Sequence, residues 1–196
     1  MKQEQMATAL YESTIKVVAS DGLDKTTTKS IAKGAGLNEV YIYRLFEDKE
    51  DLLFKTFELL DDELATACLT RLPVMEREDI PFKDKCRVLF DGVWQFLLKK
   101  PDRCKYFIRY FYSPYFRRFS ADNHRVRFDT VVSIMAPAFE EPANTWMMLN
   151  HIINILFDFT VKVFDGEMPN DEKTADLVFT LVYSSVTPYL NKNITP

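Results

Sequence analysis

Residues 26–49 bring together hydroxyl, amide, aromatic and basic side chains at spacings suited to holding a nucleic-acid backbone and touching its base edges. Thr26, Thr27 and Thr28 stand in a row ahead of Ile31-Ala32, and Tyr43 and Lys49 follow near further helix ends. Thr27, Thr28, Tyr43 and Lys49 are neutral donors or a cation, placed where first-turn amides also favour a phosphate oxygen, so they would position a duplex. The stretch Asn38-Glu39-Val40-Tyr41-Ile42-Tyr43-Arg44 would lie in a major groove with its N-terminal residues towards the bases. Lys29, early in the preceding helix, would reach the same groove.

Such side chains need two short helices in close approach. The pattern predicts a first helix over about residues 4–20, with Met6, Leu10, Val17 and Val18 near one face, closed at Asp21-Gly22 because glycine can adopt the left-handed conformation. The threonine run predicts a helix start, since a Thr oxygen accepts from unpaired first-turn amides. That second helix is short and ends around Gly34-Ala35-Gly36; Asn38 then caps a third over about 38–45. Two short helices joined by a glycine-bearing turn form a helix-turn-helix. Ile31, Ala32, Ala35, Leu37, Ile42 and Phe46 supply its apolar contacts. Asp48, with the acid Asp51 three residues on, announces a fourth helix running through Leu52, Phe57, Leu60 and Leu64 towards Cys68.

The texture changes at residues 71–82, where Pro73 and Pro81 flank the charged run Glu76-Arg77-Glu78-Asp79, a loop between modules. Beyond it helices are expected at about 83–99, 102–112, 121–139, 143–165 and 171–190. Apolar residues recur at spacings of three and four, and the hairpin dipeptide Asn-Gly is absent, so the chain is expected to be all-α. The division expected is residues 1–53 for the helix-turn-helix module and 54–196 for the rest.

Composition excludes several classes. The chain has 196 residues, 29 acidic and 25 basic, for a net charge of −4, with 47% apolar residues and only 5 glycines, the make-up of a folded chain with a sizeable core. The start, Met1 to Met6, carries an acid and no apolar stretch, which does not support a secretory signal. No run of about 18 consecutive apolar residues occurs, so a membrane span is not expected and a cytoplasmic location is. Cys68, Cys86 and Cys104 are odd in number and without a close pair, which argues against disulfides and against a metal site; they read as small hydrophobes. Gly-x-Ser-x-Gly, HExxH and a phosphate-cradling glycine loop are all missing, and His124 and His151 are the only histidines, so no catalytic residues, metal or cofactor are expected.

The combination Gly22-x3-Thr26-Thr27-Thr28-x2-Ile31-Ala32-x2-Ala35-Gly36-Leu37-x5-Tyr43-x2-Phe46-x2-Lys49-Glu50 resembles the TetR (tetracycline-repressor-like) family of one-component transcriptional regulators over about residues 10–53. The resemblance implies an all-α homodimer: an N-terminal three-helix DNA-binding domain, and a larger helical domain that binds a small ligand and dimerises through its last two long helices. The family's DNA-contact positions fall on Thr27, Thr28, Lys29, Asn38, Glu39, Tyr41, Tyr43, Arg44 and Lys49. Val40, Tyr41, Arg44-Leu45 and the acid Glu39 depart from the family's usual reading-helix pattern, so the operator does not follow from relatives.

Residues 1–53 carry seven bases and nine acids, a net −2, so this module is no basic patch. Specific binding would rest on a few placed contacts with feeble non-specific affinity. The competing reading is a TetR-like adaptor or co-activator acting through a protein partner.

Of the 27 aromatic residues only Tyr11, Tyr41, Tyr43 and Phe46 precede residue 54, and the densest stretch runs from Tyr106 to Tyr112. One helix cannot bury so many rings on one side, and an aromatic cavity with a few polar groups is the usual form of a small-molecule site. The candidates are Trp94, Phe107, Phe111, Trp146, Asn150, His151 and Asn154, for a small, largely apolar or aromatic ligand; ordinary core packing is the alternative for each ring. Asn150, Asn154, Asp158 and Lys162 form a polar stripe that would face ligand, partner or solvent. The apolar residues of the last two helices, among them Trp146, Leu149, Ile153 and Phe164 in one and Leu177, Leu181 and Leu190 in the other, make faces wide enough for a four-helix dimer bundle. A two-fold dimer would suit pseudo-palindromic double-stranded DNA, with reading helices roughly 34–36 Å apart.

Overall fold

The structure, a computed structural model, describes residues 2–194. Its regular elements are helical: α1 Gln3–Asp21, α2 Thr28–Gly34, α3 Val40–Leu45, α4 Lys49–Leu69, α5 Phe82–Lys99, α6 Pro101–Phe111, α7 Ala121–Arg127, α8 Asp129–Met135, α9 Thr145–Phe164 and α10 Glu172–Val186. No strand occurs among the described residues, only a single antiparallel bridge between Phe139 and Leu190. The chain forms two compact units, residues 1–63 with 100–124, and residues 64–99 with 125–196.

In the first unit, α1 stops at Gly22, which has φ +86° and whose amide bonds back to Val18 O at 3.0 Å. Leu10 of α1, Ile31 and Ala32 of α2, Ile42 of α3, Phe46 at the close of α3 and Leu52 of α4 share one buried cluster, the core of the helix-turn-helix. α6 lies on α1 and α4 through long polar side chains. The Arg103 guanidinium bridges Glu12 of α1 and Glu63 of α4, and Arg109 donates to the Val18 carbonyl at the end of α1. The fully buried Tyr106 donates to Leu53 O at 2.7 Å. Phe57 sits amid the rings of Phe107, Tyr110 and Phe116, at centroid distances of 4.9, 4.6 and 5.5 Å.

In the second unit, Phe90 of α5 lies 5.9 Å from Trp94 and 5.3 Å from Phe179 of α10. Phe139, Met148, Val186 and Leu190 form a second cluster, and Leu72, Val131 and Met135 a third. Arg71 crosses α5 so closely that a Cβ on the buried Gly92 would come 1.7 Å from its Nε; only glycine admits that crossing. α10 opens on Asp171, whose carboxylate accepts from the Thr174 amide at 2.9 Å.

Two sequence expectations are corrected. The helix expected over 121–139 is broken: a single π-turn at Phe116–Ser120 leads into α7, and Phe128, at φ −95° and ψ 3°, separates α7 from α8. α8 then tightens into a 3-10 turn at Ala136–Ala138, where Pro137 removes a donor. The segment expected as a plain loop at 71–82 holds a 3-10 turn, Leu72–Glu76. By length and composition alone one helix among the described residues, Pro142–Phe164, is long and apolar enough to cross a membrane, and Asn150, His151, Asn154, Asp158 and Lys162 interrupt its apolar run, in keeping with the absence of about 18 consecutive apolar residues. Only 22% of its most apolar window is buried within the protein.

Candidate nucleic-acid interface

The turn between α2 and α3 fixes everything outward of it. Leu37 N donates to Ala32 O at 2.9 Å and Gly36 N to Lys33 O at 3.1 Å, the paired closure of a helix on a left-handed residue, and Gly36 has φ +66°. At the other end of α2, Thr27 Oγ1 accepts from Ser30 N at 3.1 Å while Ser30 Oγ accepts from Thr27 N at 3.0 Å, a reciprocal cap. α4 opens with Asp51 N donating to Asp48 Oδ1 at 2.8 Å, the cap expected from the sequence.

With Ile31, Ala32, Ile42 and Phe46 inside, the polar positions face out. Thr27, Lys29, Asn38, Tyr43 and Arg44 are exposed, Tyr43 by 59%, and Thr28, Glu39, Tyr41 and Lys49 are half-buried. The Arg44 guanidinium lies 5.4 Å from the Tyr41 ring centroid, so these two restrain each other. Lys49 Nζ donates to Thr26 O at 3.2 Å, tying the start of α4 to the residue before the α2 cap. Asn38 Oδ1 accepts from Val40 N at 3.0 Å, which leaves only its amide donors for a ligand. Thr28 Oγ1 donates to the Glu39 carboxylate, so a hydroxyl expected to face a phosphate is engaged inside the protein.

The ligand candidates fall in both units. Phe107 and Phe111 belong to the first, stacked on one another at 5.9 Å, with Phe111 4.5 Å from Phe116. Trp94, Trp146, Asn150, His151 and Asn154 belong to the second. There Trp94 is buried, the Arg125 guanidinium lies 5.7 Å from the Trp146 ring, Asn150 donates to Trp146 O at 2.8 Å, and His151 Nε2 lies 3.0 Å from Ser185 Oγ. His151 and Asn154 are exposed.

Two polar features inside the units escaped sequence reasoning. Asp61, fully buried on α4, lies 2.7 Å from His124 Nδ1 beside the rings of Phe57, Phe111 and Phe116. The pairing joins residues 63 apart, and no local signal announces it. Tyr183 on α10 has a buried hydroxyl with no hydrogen-bond partner. Burial pushes the Cys86 and Cys104 thiols up to about 12. Among the described residues no group of three or more histidine, cysteine or acidic side chains is placed to hold a metal ion.

Residues 10–56 match the family described as bacterial regulatory proteins, tetR family. No curated protein sequence matches the chain. Among solved structures, it is similar to a TetR family transcription regulator from Marinobacter aquaeolei VT8, with 18% identity and a TM-score of 0.78 over 96% of this chain and 97% of the other. A tetR family regulator structure from Shewanella sp. PV-4 matches with 18% identity and a TM-score of 0.76, over 95% and 99% of the two chains. The multidrug binding protein EbrR, solved with imidazole, matches with 15% identity and a TM-score of 0.60, over 90% and 93%. Residues 10–56 thus carry the likeness to the tetR family of bacterial regulatory proteins, and along almost its whole length the chain shares the fold of these solved structures.

Proposed function

We propose that the protein is a one-component, ligand-responsive transcription regulator that acts as a homodimeric repressor on pseudo-palindromic double-stranded DNA. The reading module is placed in residues 1–53 and the ligand-binding and dimerisation domain in residues 54–196. The observation that carries this reading is the outward set on a closed core: Lys29, Asn38, Tyr43 and Arg44 exposed above Ile31, Ala32, Ile42 and Phe46. Thr27, Tyr43 and Lys49 position the backbone, and Asn38, Glu39, Tyr41 and Arg44 face the bases.

Dimerisation is assigned to α9 and α10. Leu156, Phe157, Val178, Val182, Val186 and Leu190 are buried within the protomer, so the apolar surface left for a partner is Met147, Leu177 and Leu181, exposed by 58%, 50% and 44%. The low burial of the apolar α9 supports the same assignment.

The ligand is proposed to be small and largely apolar or aromatic, bound by members of the set Trp94, Phe107, Phe111, Trp146, Asn150, His151 and Asn154. EbrR, of similar fold, is described as multidrug binding. Tyr183 adds a buried donor that a ligand acceptor would satisfy, removing the penalty of leaving it unpaired. Phe107 and Phe111 lie on α6, the helix that Arg103 and Arg109 fasten to α1, so a ligand against these rings bears on the element that supports the reading module. Regulation follows if the ligand prefers one of two states; each 1.4 kcal/mol of preference is worth about tenfold in DNA affinity.

A shift assay on the DNA upstream of its own gene, run across salt concentrations, tests the reading. Sequence-specific retardation supports it. None at low salt would leave the adaptor, which the module's net charge of −2 favours.

A further inference from the structure

The start of the reading helix offers DNA an acceptor, and the backbone amides of Val40, Tyr41 and Ile42 are already engaged. Val40 N bonds to Asn38 Oδ1, Tyr41 N to Asn38 O and Ile42 N to Glu39 O, each at 3.0 Å. Beside these closed amides sits the half-buried Glu39 carboxylate. One of its oxygens, Oε1, takes the Thr28 hydroxyl from α2; the other takes no hydrogen bond from a described residue. A phosphate approaching here meets a negative charge beside three engaged amides, which removes Glu39 and Thr28 from the backbone-positioning set.

In the major groove the same carboxylate has a matched partner. Cytosine presents only its N4 amino donor, whereas adenine sets its N7 acceptor beside the N6 donor, and guanine and thymine present acceptors that repel a carboxylate. The Thr28 bond holds the carboxylate in one orientation between α2 and α3, so its aim is fixed before DNA arrives. We propose, resting on the DNA-reading function above, that Glu39 is a specificity residue selecting cytosine at one position of each half-site through its N4 amino group, with Thr28 as its positioning residue. The acid therefore has a use in a module whose charge otherwise opposes DNA: it weakens binding to every wrong sequence more than to the right one.

The test is selection from a random duplex library by the full-length protein, compared with Glu39→Gln and Thr28→Val. Wild type is expected to yield a half-site with one strongly fixed cytosine. Glu39→Gln should lose that preference, by about 5- to 100-fold, and move towards adenine, which a Gln amide reads through N6 and N7, while every other position is unchanged. Affinity for random duplex should rise with Glu39→Gln, because a repelling charge is gone, an effect that mere loss of folding cannot produce. Thr28→Val should weaken the same single position. If wild type and both variants select one and the same half-site, or if the position affected in Glu39→Gln holds adenine in wild type, the assignment to Glu39 is wrong while DNA reading stands. If wild type selects no sequence, the proposed function and this inference fall together.

Discussion

Tyr43, Lys49 and Arg44 differ in what they can carry, and substitution separates them. Tyr43→Ala and Lys49→Ala should weaken binding to all duplexes alike, and losing one phosphate contact at Lys49 should reduce the salt slope by about 0.9. Arg44→Ala should cost about 1–3 kcal/mol on cognate DNA and much less on random DNA; equal losses on both would deny it a base-reading role. A second residue-scale expectation concerns alkali. Burial raises the Tyr106 and Tyr110 hydroxyls, the latter up to about 12, together with the Cys86 and Cys104 thiols. All four are acids kept neutral by the fold, so their contribution is complete below the ordinary cysteine and tyrosine values of 9.0 and 10.0 and is lost as pH rises towards 12. Urea midpoints should therefore fall steadily above about pH 9, and Tyr110→Phe should flatten the upper part of that decline. At this scale the sequence was legible where a residue acts on its near neighbours: the Thr27 and Asp48 caps stand where expected. The Thr28–Glu39 bond was not legible, because it depends on how α2 and α3 cross.

Among the elements, the α2–α3 turn depends on one backbone conformation. Gly36→Ala meets no side chain within 4 Å, so its cost is the left-handed φ of +66° alone, about 1–2 kcal/mol. Thermal melts should register that loss, and DNA affinity should fall with it. Phe57→Ala removes a fully buried ring from the aromatic stack and should cost about 3–5 kcal/mol, read as a lowered denaturant midpoint. The helical elements were largely visible in the three-and-four spacing, and α5, α6 and α9 begin and end within two residues of expectation. The break between α7 and α8 was hidden. Phe128, Val131 and Met135 keep a helical spacing straight through it, and neither proline nor glycine marks the interruption at Phe128. The contacts of α6 with α1 were equally silent, since Arg103 and Arg109 find partners 91 residues away.

At the scale of the whole molecule, the proposed function rests on two copies acting together. Leu181→Glu places a charge in the exposed apolar strip of α10 and should yield a monomer by sedimentation, with a loss of cooperative DNA binding and little change in protomer stability, because Leu181 is 44% exposed. The most direct measurement is a hydroxyl-radical footprint of the protein, titrated on the DNA upstream of its own gene. The account predicts two protected patches related by pseudo-two-fold symmetry, about 10–10.5 base pairs or a multiple apart on one face of the duplex, appearing together. A single unpaired patch, or uniform weak protection that vanishes with modest salt, would contradict it.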